Sequence, residues 1–396
     1  MKKLVLAYSG GLDTSYCLKT LSKEGYEVHA VSVNTGGFSP DEIIEQESKA
    51  MQMGASSYTS IDALDSFYKK IVKYLVFGNV LKNNSYPLSV SAERIVQAVE
   101  IISYAKRIDA QFIAHGSTGA GNDQVRFDLI FQVLAPAIKI ITPIRDQQLS
   151  REAEIEYLKS EGIEMSWEKA QYSINQGLWG TSVGGSETLT SDKALPSTAY
   201  PSQLTESEPK QITLDFVHGE ISGINGVKGI PVALIQQLQE VAKGYAIGRD
   251  IHVGDTIIGI KGRVGFEAAA PLIIIKAHHL LEKHTLSKWQ QFQKEQLGSF
   301  YGMLLHEGNY LDAVMRDIES FLESSQKTVN GSVIITLHPY RFELEGIQSP
   351  NDLMNASFGS YGEMNKSWTA EDAKGFIKIT ANAHTIYGSV NNKDSK

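Results

Sequence analysis

AYSGGLDTSYCL, residues Ala7 to Leu18, sets a glycine pair between an apolar run and a helical pattern. The run before it, Lys3 to Tyr8 (KLVLAY), is short, apolar and β-prone, as in a buried parallel strand. After it, Leu12, Tyr16, Leu18 and Leu21 recur at helical spacing, with Asp13 and Thr14 suited to a first turn. The order is strand, tight turn, helix. A helix N-terminus leaves backbone N–H groups unpaired, and Gly10 and Gly11 let a ligand approach them without a Cβ in the way. Phosphate is the natural occupant, with hydroxyls from Ser9, Thr14 and Ser15 as further donors. Asp13 would repel a bare phosphate, which points to a magnesium ion between the two. The same residues also suit an ordinary capped strand-to-helix junction.

Two other phosphate motifs are absent. The chain contains no Gly-Lys pair, so it has no GxxxxGK[ST] loop, and no GxGxxG occurs. Strand signals at Val28 to Asn34, Ser57 to Ile61, Phe112 to His115 and Ile138 to Thr142 alternate with helical patterns at Pro40 to Met53, Ala63 to Val76 and Ser91 to Ile108. That alternation predicts an α/β fold with a parallel, doubly wound sheet and right-handed crossovers, whose ligands gather beyond the strand C-termini.

A second loop falls on that edge: HGSTGAGNDQVRFDL, His115 to Leu129, in which three glycines precede Asn122, Asp123 and Arg126 at the start of a helix. Amide, carboxylate and guanidinium within one turn can read an amino acid, its amine by Asp123 and its carboxylate by Arg126 or a backbone N–H. A capped helix with Asp123 and Arg126 paired at i, i+3 on a solvated face is the other reading.

SGGLDTS, Ser9 to Ser15, resembles the SGGxD[ST] loop of the N-type ATP pyrophosphatases, which cleave ATP between its α and β phosphates. With HGSTGAGNDQVRF in order behind it, the chain resembles the argininosuccinate synthase family. YPLSVSAER around Tyr86 and Ser91, YSINQGLWGTS from Tyr172 to Ser182, GRDIHVGDTIIGIKGR from Gly248 to Arg263 and DAKGFIKI from Asp372 to Ile379 extend the likeness through nearly the full length. The resemblance implies that the ureido oxygen of citrulline attacks the α-phosphorus of ATP, that pyrophosphate leaves, and that the amine of aspartate then displaces AMP. It implies an ATP site at Ala7, Tyr8, Ser9, Gly10, Gly11, Leu12, Asp13, Thr14, Ser15 and Gly116. It implies an aspartate site at Thr118, Asn122 and Asp123, and a citrulline site at Tyr86, Ser91, Asn122, Arg126, Ser173, Ser182 and Phe266. No protein nucleophile is needed; Asp13 and Asp123 have supporting roles, and magnesium accompanies ATP without a fixed protein site.

The chain departs from the family pattern at three places. Gly254 stands where the family usually carries glutamate, Phe266 where it carries tyrosine, and Val90 where threonine is common. Losing a carboxylate removes a partner for the α-amine of citrulline. Either Asp255 or His252 takes its place, or the substrate is an N-acylated citrulline, or the position has drifted with specificity unchanged. Another AMP-forming pyrophosphatase acting on tRNA is a further alternative, at odds with the acidic balance and the single cysteine.

Composition agrees with a globular enzyme: 396 residues, 42% hydrophobic, 21% charged, formal charge −8. An acidic balance argues against broad nucleic-acid binding. Cys17 alone makes no internal disulfide and reads as a small buried apolar residue. The apolar start MKKLVLAY ends at Ser9, short of a signal-peptide core, and no run approaches the roughly 20 apolar residues of a membrane span. A cytoplasmic location follows as the expectation.

Beyond the sheet, Ser166 to Tyr200 reads as a long Gly/Ser/Thr-rich loop. Strands are expected at Ile212 to Val217 and Ile251 to Ile260, and helices at Val232 to Ala242, His278 to Gly298 and Tyr310 to Ser324. A hairpin is expected around His338-Pro339. His278, His279 and His284 lack metal-ligand spacing. The domains expected are a nucleotide-binding 1–165, an α+β synthetase domain 166–365, and a tail 366–396. Trp368 to Tyr387 is modestly helical, and the resemblance implies that it serves a homotetramer.

Overall fold

The structure is a computed structural model that describes residues 2–163, 172–355, 357, 359, 361–363 and 367–391. The expected domain boundaries near 165 and 365 lie outside the described residues. By contacts the chain forms two compact units, Met1–Pro350 and Asn351–Lys396.

Five parallel strands open the first unit: β1 (Lys2–Ala7), β2 (Tyr26–Asn34), β3 (Ser57–Asp62), β4 (Phe112–His115) and β5 (Lys139–Ile141), in spatial order β3-β2-β1-β4-β5. Leu4, Val5 and Leu6 are all fully buried, because helices cover both faces of the sheet and an unbroken apolar run is what such a strand requires. The order reverses between β1 and β4. Their register sets Ala7 beside His115, so the turns that leave these two strands open into one crevice.

Two antiparallel sheets follow. β6 (Ser173–Gly177), β7 (Gly180–Gly184), β11 (Arg249–Asp255) and β12 (Lys261–Glu267) pair in the order β11-β12-β7-β6. β8 (Lys210–Val217), β9 (Glu220–Ile224), β10 (Val227–Lys228), β13 (Gly331–His338) and β14 (Arg341–Gln348) pair in the order β10-β9-β8-β13-β14. The helix Ala269–Thr285, apolar through its first half, packs among them with Ile273, Ile274, Ile275, Ala277 and Leu281 buried.

Four expectations need correction. The described part of Ser166 to Tyr200 holds the β6–β7 hairpin rather than a continuous loop. Ile251 to Ile260 is not one strand: β11 stops at Asp255, the turn closes through Thr256 N–H to the Ile260 carbonyl at 2.8 Å with Gly259 at φ 82°, and β12 returns. His278 to Gly298 is split at Ser287, which caps a new helix, Lys288–His306, in a reciprocal box with Gln290. Ala63 to Val76 carries a π-helical turn at Tyr68–Val72, which aligns Phe67, Tyr68, Ile71, Val72 and Leu75 to one buried face.

The second unit holds the helix Ala370–Asn391, 22 residues long, opened by Thr369 and Asp372 in a mutual cap of 2.7–3.3 Å. It is a regular helix, more so than its sequence pattern suggests.

Candidate active site

A cleft of about 950 Å³ lies over the C-terminal ends of β1, β2 and β4 and is closed from the other side by β6, β7, β11 and β12. Of the residues singled out from sequence, Ala7, Tyr8, Ser9, Gly11, Leu12, Asp13, Thr14, Gly116, Thr118, Asn122, Asp123, Tyr86, Ser91, Arg126, Ser173 and Ser182 all line it. Gly10, Ser15 and Phe266 do not. Ser15 and Phe266 are fully buried. Gly10, at φ 76°, turns toward Gln46, whose Cγ would lie 3.0 Å from an added Cβ.

The first turn reads as an open amide cradle. Gly11 precedes the helix Leu12–Lys23 and no side chain caps it, so the first-turn N–H groups of Leu12, Asp13 and Thr14 meet the cleft. Ser9 and Thr14 hydroxyls lie 3.3 Å apart, and Thr14 Oγ1 donates to the Gly11 carbonyl at 3.2 Å. Gly116 from the second loop sits directly against this turn: an added Cβ would lie 3.1 Å from the carbonyl carbon and the Cβ of Asp13. Behind it, burial and then the Asp13 charge push the Glu154 carboxyl up to about 8.

The second loop is braced from beneath. His115, buried at the end of β4, accepts from the Ser117 N–H at Nδ1 (3.2 Å), while Nε2 meets Asp128 Oδ1 at 2.8 Å. Gln124 Nε2 donates to the Gly119 and Gly121 carbonyls at 2.6 and 3.1 Å. Asn122 Oδ1 accepts from the Ile257 N–H at 2.9 Å, which ties the loop to the β11–β12 turn and leaves its amide NH2 for the cleft.

Asp123 carries the densest electrostatics of the site. Arg126 donates to its Oδ1 at 2.8 Å and Arg94 to its Oδ2 at 3.0 Å. Burial alone would raise this carboxyl; the two guanidinium groups overcome that and hold it below its ordinary value. Arg126, 3% exposed, also donates from Nε and a terminal nitrogen to the His306 carbonyl at 3.0 and 2.9 Å, a cation at the C-terminus of the helix Lys288–His306. The i, i+3 pair predicted as one reading of the sequence therefore exists, but it faces the cleft, not bulk solvent. Arg94 and its neighbour Glu93 were missed by sequence reasoning; the one signal was a charged pair, Glu93-Arg94, two residues past Ser91. Glu93 accepts from Arg94 at 2.6 Å and from the Thr35 hydroxyl at 2.9 Å, and burial, against the pull of Arg94, pushes its carboxyl up to about 7.

Tyr86 is sandwiched: His252 stacks on it at 4.9 Å and 26°, and Phe266 tilts against it at 5.2 Å. Phe266 pairs in register with Ser182, so Phe266 shapes the cleft through its neighbours. Gly254 lines the cleft, and a Cβ there would meet His252 Nε2 at 2.8 Å; the imidazole occupies the room a longer side chain at 254 would need. Asp255 is exposed and paired with Lys261 at 2.5 Å, so His252 rather than Asp255 faces the position next to Tyr86. Burial, then Lys82, pulls His252 down to about 4, leaving a neutral ring at pH 7. Among the described residues no cluster of three or more His, Cys, Asp or Glu fits a metal ion.

A family model described as the arginosuccinate synthase N-terminal HUP domain matches residues 3–164, and one described as the arginosuccinate synthase C-terminal domain matches residues 172–387. The argininosuccinate synthase of Xanthomonas campestris pv. campestris is 36% identical over 403 residues, covering 98% of this chain and 99% of that protein. That of Methanocaldococcus jannaschii is 36% identical over 378 residues, covering 94% and 95%. That of Pyrococcus furiosus is 36% identical over 387 residues, covering 95% and 92%. Likeness at this length, to relatives that share one description, favours the plain amino-acid ligase over the N-acylated and tRNA-directed alternatives. With both family models laid end to end along a chain whose two glycine loops share one crevice, the protein belongs to the argininosuccinate synthase family, enzymes that form a carbon–nitrogen bond.

Proposed function

We propose that this protein joins citrulline to aspartate with ATP, making argininosuccinate, AMP and pyrophosphate. The observation that carries the reading is the register of Ala7 with His115, which sets an amide cradle and an amino-acid-reading loop against each other in one cleft. Urea is a poor electrophile because its carbon is resonance-stabilised. Attack of its oxygen on the α-phosphorus of ATP expels pyrophosphate and turns that oxygen into part of a leaving group. The aspartate amine then bonds to the ureido carbon, AMP departs with the oxygen, and the amine sheds its protons.

In this reading Leu12, Asp13 and Thr14 amides and the Ser9 and Thr14 hydroxyls grip the phosphates, with Gly116 against the nucleotide. Thr118, Asn122 and Asp123 hold aspartate. Tyr86, Ser91, Asn122, Arg126, Ser173 and Ser182 hold citrulline, with Phe266 behind Tyr86. Orientation supplies much of the rate, since well-placed reactants gain roughly 7–11 kcal/mol. Donors fixed before the reaction stabilise the charge that develops on pyrophosphate. Magnesium suits this site: Asp13, a hard oxygen donor at the cradle's mouth, would hold it beside the phosphates. Bound there it would neutralise charge on the departing pyrophosphate. Steady-state formation of AMP that requires citrulline and aspartate together is the expected result; ADP as product, or steady AMP formation without aspartate, would refute the reading.

Cytoplasmic residence and a homotetramer complete the proposal. One buried cysteine suits a reducing compartment, and no described helix is long and apolar enough to cross a membrane. The helix Ala370–Asn391 has no buried residue and exposes Phe376, Ile377, Ile379, Ile386, Tyr387 and Val390, an apolar load that a second copy would cover. Truncation after Trp368 is expected to leave dimers or monomers by sedimentation; a truncated chain that stays tetrameric rules out this role for the helix.

A further inference from the structure

Arg94 stands in the first turn of the helix Glu93–Arg107 and lines the cleft. Its Nε donates to Asp123 at 3.0 Å, and one terminal nitrogen donates to Glu93 at 2.6 Å and Gln97 at 3.1 Å. Its other terminal nitrogen makes no hydrogen bond among the described residues. Arg126 differs: its Nε and one terminal nitrogen go to the His306 carbonyl and the other to Asp123, so all three of its nitrogens are engaged. The wall built by Thr118, Asn122, Asp123 and the two arginines therefore has one N–H pair, on Arg94, left to donate. The carboxylates nearest it are committed: Asp123 to both guanidinium groups, Glu93 to Arg94 and Thr35, Asp255 to Lys261.

An amino acid with one ammonium and two carboxylates matches that wall. Asp123 suits the ammonium, because a carboxylate can accept more hydrogen bonds than the two its arginines donate. The amides opening the helix Asp123–Leu134, with Thr118, suit the carboxylate that every amino acid carries. A planar guanidinium with two free N–H bonds suits a second one. We propose that Arg94 binds the side-chain carboxylate of the incoming aspartate and so selects a dicarboxylic amine donor. This deepens the ligase reading and rests on it.

The test compares wild type with Arg94→Gln and Arg94→Lys in three measurements: citrulline-dependent exchange of pyrophosphate into ATP without aspartate, aspartate-dependent AMP formation, and inhibition by succinate, which has both carboxylates and no amine. In Arg94→Gln, kcat/KM for aspartate is expected to fall about 100-fold, the scale of a lost charge-assisted pair, and succinate inhibition to weaken in parallel. The exchange reaction should fall by a much smaller factor, and Arg94→Lys should recover about tenfold of the loss by restoring the charge without the fork. Succinate inhibition that survives in Arg94→Gln, or exchange and AMP formation lost to the same extent, overturns the assignment, as does a wild type that succinate fails to inhibit. Absence of citrulline-dependent exchange in the wild type would instead overturn the ligase reading itself.

Discussion

Asp123→Asn is expected to lower kcat/KM for aspartate by about 1,000-fold, the range found when one partner of a desolvated charge pair is removed. Two guanidinium groups converge on this carboxylate, at 2.8 and 3.0 Å, and both lose an ionic partner when it becomes an amide. One amide face must then turn an NH2 toward an arginine, so the constellation loosens as well as losing charge. Steady-state kinetics with each substrate varied in turn check this. The loss should fall mainly on aspartate, with a smaller rise in the KM for citrulline because Arg126 shifts too. Near-wild-type use of aspartate by Asp123→Asn would remove Asp123 from the site.

The second large effect concerns stability, far from the cleft. Lys294→Met is expected to lower the unfolding free energy by about 3–5 kcal/mol, because it strands a buried anion. Lys294 and Glu282 are 2% and 1% exposed and 2.8 Å apart. Lys294 also donates to the Phe77 carbonyl, and Asn79 and Gln326 donate to Glu282 at 2.5 and 2.9 Å. Burial would raise the Glu282 carboxyl, yet His278 and Lys294 hold it below its ordinary 4.5. A depressed carboxyl contributes stability above its unfolded value and loses it as pH falls through the folded one. Without Lys294 that contribution disappears, so the gap between mutant and wild type should be widest at neutral pH and narrow below about 4.5. Urea denaturation at both ends of this range measures it. Replacing Glu282 and Lys294 together by apolar residues should cost far less than either alone.

Legibility was uneven, for reasons particular to each segment. β1 and β4 are buried on both faces, so the apolar stretches 4–7 and 112–114 are continuous and easy to see. In sequence the β11–β12 hairpin reads as one strand because Ile257, Ile258 and Ile260 prolong the β-prone pattern through a turn that only Thr256 and Gly259 mark. The break at Ser287 carries its own signal, a Ser followed three residues later by Gln, which a long apolar helix pattern outweighed. Arg94 had no motif of its own. A charged residue in a first helical turn looks like a solvated one until the fold turns that face inward.

Sequence by itself determined the two glycine loops, their place at strand-to-helix junctions, and the parallel sheet that joins them, since period, glycine placement and cap residues are local properties of the chain. Tertiary structure alone decided that Ala7 and His115 are neighbours across 108 residues, that Arg94 and Arg126 close on one carboxylate, and that β6, β7, β11 and β12 roof the cleft. Those are long-range pairings set by how the layers bury their apolar faces, and no stretch of sequence encodes them on its own.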